Sequence, residues 1–256
     1  MTLFQSCVLA IVEGFTEFLP ISSTGHMILV SYFLKVQQNI TLETFEVVSQ
    51  VGAIAAVVVL YSKRLFEVHI IKKLIIAFIP TGIAGLLIFP YIKHFLKSPL
   101  LVASTMTLGG VCILLVEKWY AKKIISHEIK KEEEITYKEA FLLGIYQAIA
   151  IIPGVSRSGA MIIGGLTMKL ERKLLTEFTF LLAVPTMILA TIYTLYKKHS
   201  ELIVTDLTPI IFGTCVSFVI ALLVITYFLK YIRSHSFVIF GWYRIILGII
   251  LILILI

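Results

Sequence analysis

Between Leu207 and Leu229 the chain runs for 23 residues without a charged side chain. In water such a stretch must be buried on every side, whereas in a bilayer it is about the length of helix that crosses the ~30 Å hydrocarbon core. Hydrocarbon offers no partner to a backbone N–H or C=O, so a run that crosses it alone is helical. Phe178 to Tyr196, Leu74 to Ile92 and Pro99 to Val116 repeat the pattern, and Glu46 to Ser62 is a further candidate. Phe237 to Ile256 qualifies with one internal charge, Arg244. Composition agrees: 59% hydrophobic against 14% charged residues, with a mean hydropathy of +1.01, is far from the soluble balance. The fold class predicted is an all-α polytopic membrane protein, a single membrane domain over residues 1–256. No basic segment or small-residue cleavage site marks the N-terminal apolar run as a removable signal, so it is expected to belong to the mature fold. Cys7, Cys112 and Cys215 are far apart in apolar segments and read as buried bystanders, not as a disulfide framework or zinc site.

Two segments do not read as ordinary spans. Thr2 to Leu34 is broken at Pro20 and holds Glu13, Glu17 and His26; Glu139 to Met168 is broken at Pro153-Gly154 and holds Arg157. Each resembles two half-helices joined by a polar turn, a re-entrant hairpin of the kind tolerated at membrane depth only where protein or water satisfies the backbone. The two are related. Ser22-Ser23-Thr24-Gly25-His26-Met27 aligns with Ser156-Arg157-Ser158-Gly159-Ala160-Met161 at an offset of 134 residues, which also carries Glu43 onto Glu177. The expected halves are residues 1–130 and 131–256, each one re-entrant hairpin plus three transmembrane helices. Three being odd, the second half is inverted relative to the first, as in many transporters. On this topology one face receives fourteen Lys and Arg, from Lys63 and Arg64 through Lys230 and Arg233, and the other only Lys35, Lys93, Lys97, Lys197 and Lys198. The basic face is expected to be cytoplasmic, with both termini outside and the hydrophilic connector Lys122 to Glu134 inside. Basic loops against anionic headgroups account for the net charge of +7 without nucleic acid.

Glu13 and Glu17 are one helical turn apart on one face. Two adjacent buried anions call for a cation, either an arginine or a divalent ion; hard oxygen ligands suit Mg²⁺ or Ca²⁺, which also bridge phosphate oxygens. After Pro20, Ser22, Ser23, Thr24 and Gly25 open a half-helix whose free N–H groups and hydroxyls form an anion site, with His26 in the same turn. Ser156, Arg157, Ser158 and Gly159 offer the same geometry plus a guanidinium able to bind phosphate bidentately. These are parts for phosphoryl transfer. Plainer readings stay open: Glu13 and Glu17 as a structural ion network with Arg157 or Arg244, the hydroxyls as helix caps, and His26 as a satisfied interior histidine. Arg244 is a counter-ion or snorkels, Glu43, Glu46 and Glu177 sit near span ends, where exposure is cheap, and Gln147 has no assigned role. Ile79-Pro80-Thr81-Gly82 and Val184-Pro185 read as packing and kink residues.

The stretches EGFTEFLPISSTGH (Glu13 to His26) and PGVSRSG (Pro153 to Gly159) resemble the two signature motifs of the undecaprenyl-diphosphate phosphatase family, the bacitracin-resistance type of integral membrane phosphatase. TFEVV (Thr44 to Val48) and EFTFLLAVP (Glu177 to Pro185) extend the likeness nearly end to end. The resemblance implies an inverted repeat with re-entrant hairpins. It also implies hydrolysis of the C55 isoprenoid diphosphate to the monophosphate carrier of cell-wall precursors, with a divalent cation. The family's functional residues fall on Glu13, Glu17, Ser23, His26 and Arg157, in a site open to the extracytoplasmic side of the bacterial plasma membrane. Ser23 is the first candidate nucleophile, with His26 or Glu17 accepting its proton; attack by His26 itself and activation of water by His26 remain alternatives. The partners implied are the isoprenoid diphosphate lipid and membrane lipids, with a homodimer left open. A transporter or flippase of a phosphorylated isoprenoid lipid is the competing class, sharing inverted repeats and an arginine-lined anion site but needing no serine, histidine and carboxylate pair.

Overall fold

The computed structural model describes residues 1–37, 39–92, 98–126, 129, 134–198 and 204–255. Part of the connector Lys122 to Glu134 lies outside them, as do Lys93 and Lys97. The elements are α1 (Leu3–Thr16), α2 (Ser23–Phe33), α3 (Ile40–Leu65), α4 (Val68–Ile92), α5 (Pro99–Ile125), α6 (Tyr137–Ile149), α7 (Arg157–Thr167), α8 (Arg172–Lys198), α9 (Val204–Ile232) and α10 (Val238–Leu255). Among the described residues there is no strand. Six helices, α3, α4, α5, α8, α9 and α10, are long and apolar enough to cross a membrane; five contain one predicted span each, and α10 covers all but the end residues of the sixth. The protein is a polytopic all-α membrane protein.

Both broken segments are pairs of short helices, and they begin alike. The Thr2 hydroxyl accepts from the Gln5 N–H while the Gln5 side chain accepts from the Thr2 N–H, a capping box that satisfies two otherwise unpaired donors. Thr136 and Glu139 build the same box before α6. The non-glycine residues in left-handed backbone also come in pairs: Ser22 and Ser156, both at φ 69°, and Lys35 and Lys169, at 50° and 63°. All these pairs share the 134-residue offset read from the motifs.

The short helices are wedged between long ones: α1 packs on α9 and α6 on α4, while α5 packs along α10 and α3 runs against both α8 and α9. With no water to expel between helices in lipid, small residues and close backbones hold such contacts. A Cβ on Gly144 of α6 would stand 2.0 Å from the Ala77 carbonyl oxygen of α4, and beside it the Thr81 hydroxyl donates to the Gly144 carbonyl at 3.1 Å. Gly144→Ala is expected to push α6 off α4 and destabilise the fold by about 1–3 kcal/mol, the usual cost of overpacking. Thermal unfolding in detergent checks this, and an unchanged midpoint would refute the close contact. Phe18, in the first turn, lies edge-on to Phe180 of α8 with centroids 5.1 Å apart, anchoring that turn in the largest apolar cluster.

The basic face is laced with ion pairs. Arg64 bonds Glu177, which Lys173 also approaches at 3.9 Å. Lys73 donates to Glu134 at 2.6 Å and holds that carboxyl below the usual carboxylate range. Arg172 grips buried Glu117 through two bonds, of 3.1 and 2.5 Å, and Glu117 also accepts the Phe237 N–H. Glu177, expected at a span end where exposure is cheap, is instead a paired carboxylate. A second expectation also fails: Cys112 and Cys215 are exposed on α5 and α9, and only Cys7 is partly buried. In lipid the outside of a helix is as apolar as its inside, so an apolar sequence context does not tell the two sides apart.

Candidate active site

Residues 17–22 carry the chain from α1 to α2, and 150–156 from α6 to α7. Pro20 has no N–H and disfavours helical backbone at Leu19, so α1 cannot run on. Pro153 acts likewise in the second turn, where Gly154 takes φ +84°. A Cβ on Gly154 would stand 2.1 Å from Thr105 Oγ1 and 2.4 Å from the Val102 carbonyl oxygen, so both the conformation and the approach to α5 demand glycine. Ser22 and Ser156 close the turns in backbone that residues with a Cβ seldom adopt. Strain of this kind concentrates at functional sites.

The two turns meet. Arg157, opening α7, donates from Nη2 to Glu17 Oε1 at 3.4 Å and from Nη1 to the Thr179 carbonyl of α8 at 3.0 Å. Glu17 Oε2 accepts from Ser23 Oγ at 2.7 Å, so one carboxylate links the hydroxyl at the head of α2 to the guanidinium at the head of α7. Glu13 is 1% exposed, and its Oε1 has no hydrogen-bond partner among the described residues. Arg157 Nε is buried and unpartnered in the same sense. Arg157 therefore pairs with Glu17, while the charges that bear on Glu13 are those of like sign, Glu17 first and then Glu46 of α3. His26 uses both ring nitrogens: Nδ1 lies 2.8 Å from the Ser22 carbonyl oxygen and Nε2 2.7 Å from the Tyr243 hydroxyl of α10.

The remaining motif residues divide. Ser22 is buried yet makes no side-chain cap on α2, so the first N–H groups of that helix carry no hydroxyl from it. Thr24 is exposed, away from the cluster. Gly25 is buried under Met106, whose Sδ would stand 2.0 Å from a Cβ. In α7 the bonding is internal: Ser156 Oγ accepts the Gly159 N–H at 3.1 Å and bonds Ser158 Oγ at 3.1 Å. Ser158 Oγ donates to the Leu19 carbonyl of the first turn at 2.9 Å. Ser158 thus ties the turns together in this structure, while the Gly159 N–H is spent on the cap of its own helix.

Two residues outside the motifs complete the cluster, both on α10. Tyr243 carries no sequence signal beyond its neighbour. Arg244 does, as the one charge in its span, and the structure resolves its role: it is fully buried and bonds carbonyls. Nε donates to Met106 at 3.1 Å, Nη1 to Pro20 at 3.2 Å, and Nη2 to Gly154 at 2.9 Å and Thr105 at 3.4 Å. It does not snorkel, and among the described residues it pairs with no carboxylate. Gln147 belongs to packing, donating to Thr81 and Thr186 at 3.0 and 3.2 Å.

Fold and cluster together define a multi-pass membrane protein whose two half-helix turns join a carboxylate, a guanidinium and a hydroxyl. The profile of the family described as bacitracin resistance protein BacA matches residues 6–250. The undecaprenyl-diphosphatase of Sulfurihydrogenibium sp. (strain YO3AOP1) is 48% identical over 249 residues, 97% of this chain and 98% of that protein. Those of Wolinella succinogenes and Aquifex aeolicus are 48% and 45% identical, each covering 98% of this chain and 97% of the relative. The chain belongs to the bacitracin resistance protein BacA family.

Proposed function

We propose that the chain hydrolyses undecaprenyl diphosphate to undecaprenyl phosphate and inorganic phosphate, returning the lipid carrier to cell-wall synthesis. Near-full-length relatives bear the name of that activity. The observation that carries the reading is the continuous contact Ser23–Glu17–Arg157: nucleophile, proton acceptor and anion ligand within one hydrogen-bonded chain. Arg157 turns from Glu17 to the terminal phosphate, using Nη2 and the unpartnered Nε, and the α2 N-terminus faces the same charge. Ser23 Oγ attacks the terminal phosphorus as its proton passes to Glu17 Oε2. The bridging bond breaks, and its electron pair leaves on the lipid monophosphate. Attack by His26 is disfavoured, because both its ring nitrogens are already bonded.

A divalent cation, Mg²⁺ or Ca²⁺, fits the donor chemistry at Glu13, whose buried Oε1 has no partner among the described residues. Among those residues no group of three or more His, Cys, Asp or Glu side chains is close enough to enclose an ion. The residues that would hold it are Glu13 and Glu17. When bound, the ion neutralises charge on the phosphoryl oxygens.

We read the chain as two inverted halves, 1–130 and 131–256, with α1–α2 and α6–α7 as re-entrant hairpins. The paired capping boxes and left-handed residues at one offset support this. The lysine and arginine bias supports a bacterial plasma-membrane protein with its basic face cytoplasmic, its termini outside and its active site extracytoplasmic.

Phosphate release from C55 diphosphate by purified protein in detergent, without any gradient, is the test. Release that requires Mg²⁺ or Ca²⁺ and stops with chelator is expected. Folded protein that releases none with any metal would leave the lipid transporter as the better reading.

A further inference from the structure

The geometry points to Tyr243 as a further catalytic residue that fixes the His26 tautomer and relays the attacking water's proton to it during hydrolysis of the phosphoserine; this rests on the phosphatase reading above. A carbonyl oxygen only accepts, so His26 Nδ1, 2.8 Å from the Ser22 carbonyl, carries the hydrogen. In the neutral imidazole Nε2 is then the acceptor. The phenol 2.7 Å away is consequently the donor, and the tautomer is held from both sides. The rings lie parallel to within 5°, with centroids 5.5 Å apart. Ser22 is the residue at φ 69°, so the strained turn aims the carbonyl that orients the ring.

Position completes the argument. Ser23 and His26 are three residues apart on α2 and share a face, so the phenol closes over the side of the helix that bears the nucleophile. Arg244, next in sequence, bonds the Pro20 and Gly154 carbonyls, which fixes the phenol relative to both turns. Tyr243 is itself 43% exposed, whereas His26 is only 8% exposed and its Nε2 is already taken by the phenol. A water attacking phospho-Ser23 thus meets the phenol oxygen before the imidazole. Its proton passes to Tyr243 Oη as the Tyr243 proton moves to His26 Nε2. The water oxygen bonds phosphorus, the P–Oγ bond breaks, and Ser23 Oγ recovers its proton from Glu17. The imidazolium then returns the extra proton through the phenol as phosphate leaves.

Tyr243→Phe keeps the ring and removes the hydroxyl. With C55 diphosphate in detergent, kcat is expected to fall about 100-fold, the lower range for a positioned proton-transfer group, with KM within about twofold. In a His26→Ala background the same change should cost less than about twofold, since the two residues act as one unit. A second readout needs no turnover: in ¹⁵N-histidine-labelled protein, with the His26 signals assigned by His26→Ala, Nε2 should report an unprotonated, hydrogen-bonded nitrogen that shifts in Tyr243→Phe. Tyr243→Phe retaining more than about half of wild-type kcat, losses that add in full across the double variant, or an unmoved Nε2 resonance would each overturn the assignment. Wild type that releases no phosphate would defeat the phosphatase reading, and the resonance would still decide whether Tyr243 sets the tautomer.

Discussion

Glu17→Gln should lower phosphate release by about 10³-fold, a rise in the barrier of about 4 kcal/mol, in protein that still folds. A positioned proton acceptor contributes roughly 10²- to 10⁴-fold, and an amide cannot take the Ser23 proton. The substitution also disturbs two contacts at once. Ser23 Oγ and Arg157 Nη2 both donate to this carboxylate, one to each oxygen. Glutamine has a single oxygen, so its NH₂ must face one of the two donors; either the hydroxyl turns to accept from the amide and loses the acceptor for its proton, or the guanidinium is left opposite another donor. KM should rise less than kcat falls, because Arg157 keeps its bond to the Thr179 carbonyl and stays at the head of α7. Initial rates across substrate concentration, with a melting curve on the same preparation, provide the check. A variant that keeps more than about a tenth of the wild-type kcat would remove Glu17 as the acceptor of the Ser23 proton.

The spans were legible because a long uncharged run has few ways to exist, and the paired short helices because proline, glycine and ionisable residues interrupt two such runs. Glu17, Ser23 and Arg157 could be grouped from the order of residues alone, since buried charge in an apolar chain needs a partner and a repeat put the two motifs in register. Which oxygen meets which donor could not. Ser158 shows the limit: its motif suggested an anion ligand, yet the hydroxyl is spent on the Leu19 carbonyl, and a backbone acceptor leaves no mark in the sequence. Tyr243 lies 217 residues from His26, on a helix whose outward residues are equally apolar, so neither spacing nor composition singles it out. The exposed Cys112 and Cys215 make the same point from the other side: in lipid, hydropathy reports depth along a helix and not which face turns inward.

Arg244 carries the second large effect, and the chemistry of its acceptors sets the expectation. Its guanidinium holds four carbonyls: two in α5, from Thr105 and Met106, and one in each turn, from Pro20 and Gly154. A planar fork with five N–H donors reaches acceptors in several directions at once, which no other side chain does. Arg244→Leu removes every one of these bonds while keeping an apolar body in the site. Each buried carbonyl left without a donor costs about 1–3 kcal/mol, so even two stranded acceptors bring the loss to a few kcal/mol, a large share of typical net stability. The loss falls where it matters for chemistry: the Pro20 carbonyl lies two residues before Ser22 and the Gly154 carbonyl two before Ser156, so freeing them lets both left-handed residues relax. The contact between Ser23, Glu17 and Arg157 depends on those turns facing each other. Arg244→Leu is therefore expected to melt well below wild type and to release no measurable phosphate even below its melting point. Arg244→Lys separates anchoring from charge. It keeps the positive charge beside the site, but a single ammonium cannot span carbonyls on three elements. Partial recovery of the melting temperature with catalysis still down by about 100-fold, the scale of a small misplacement of reacting groups, is the outcome of an anchor. Wild-type turnover in Arg244→Lys would mean that charge alone suffices and that the four-carbonyl geometry has no part in holding the turns.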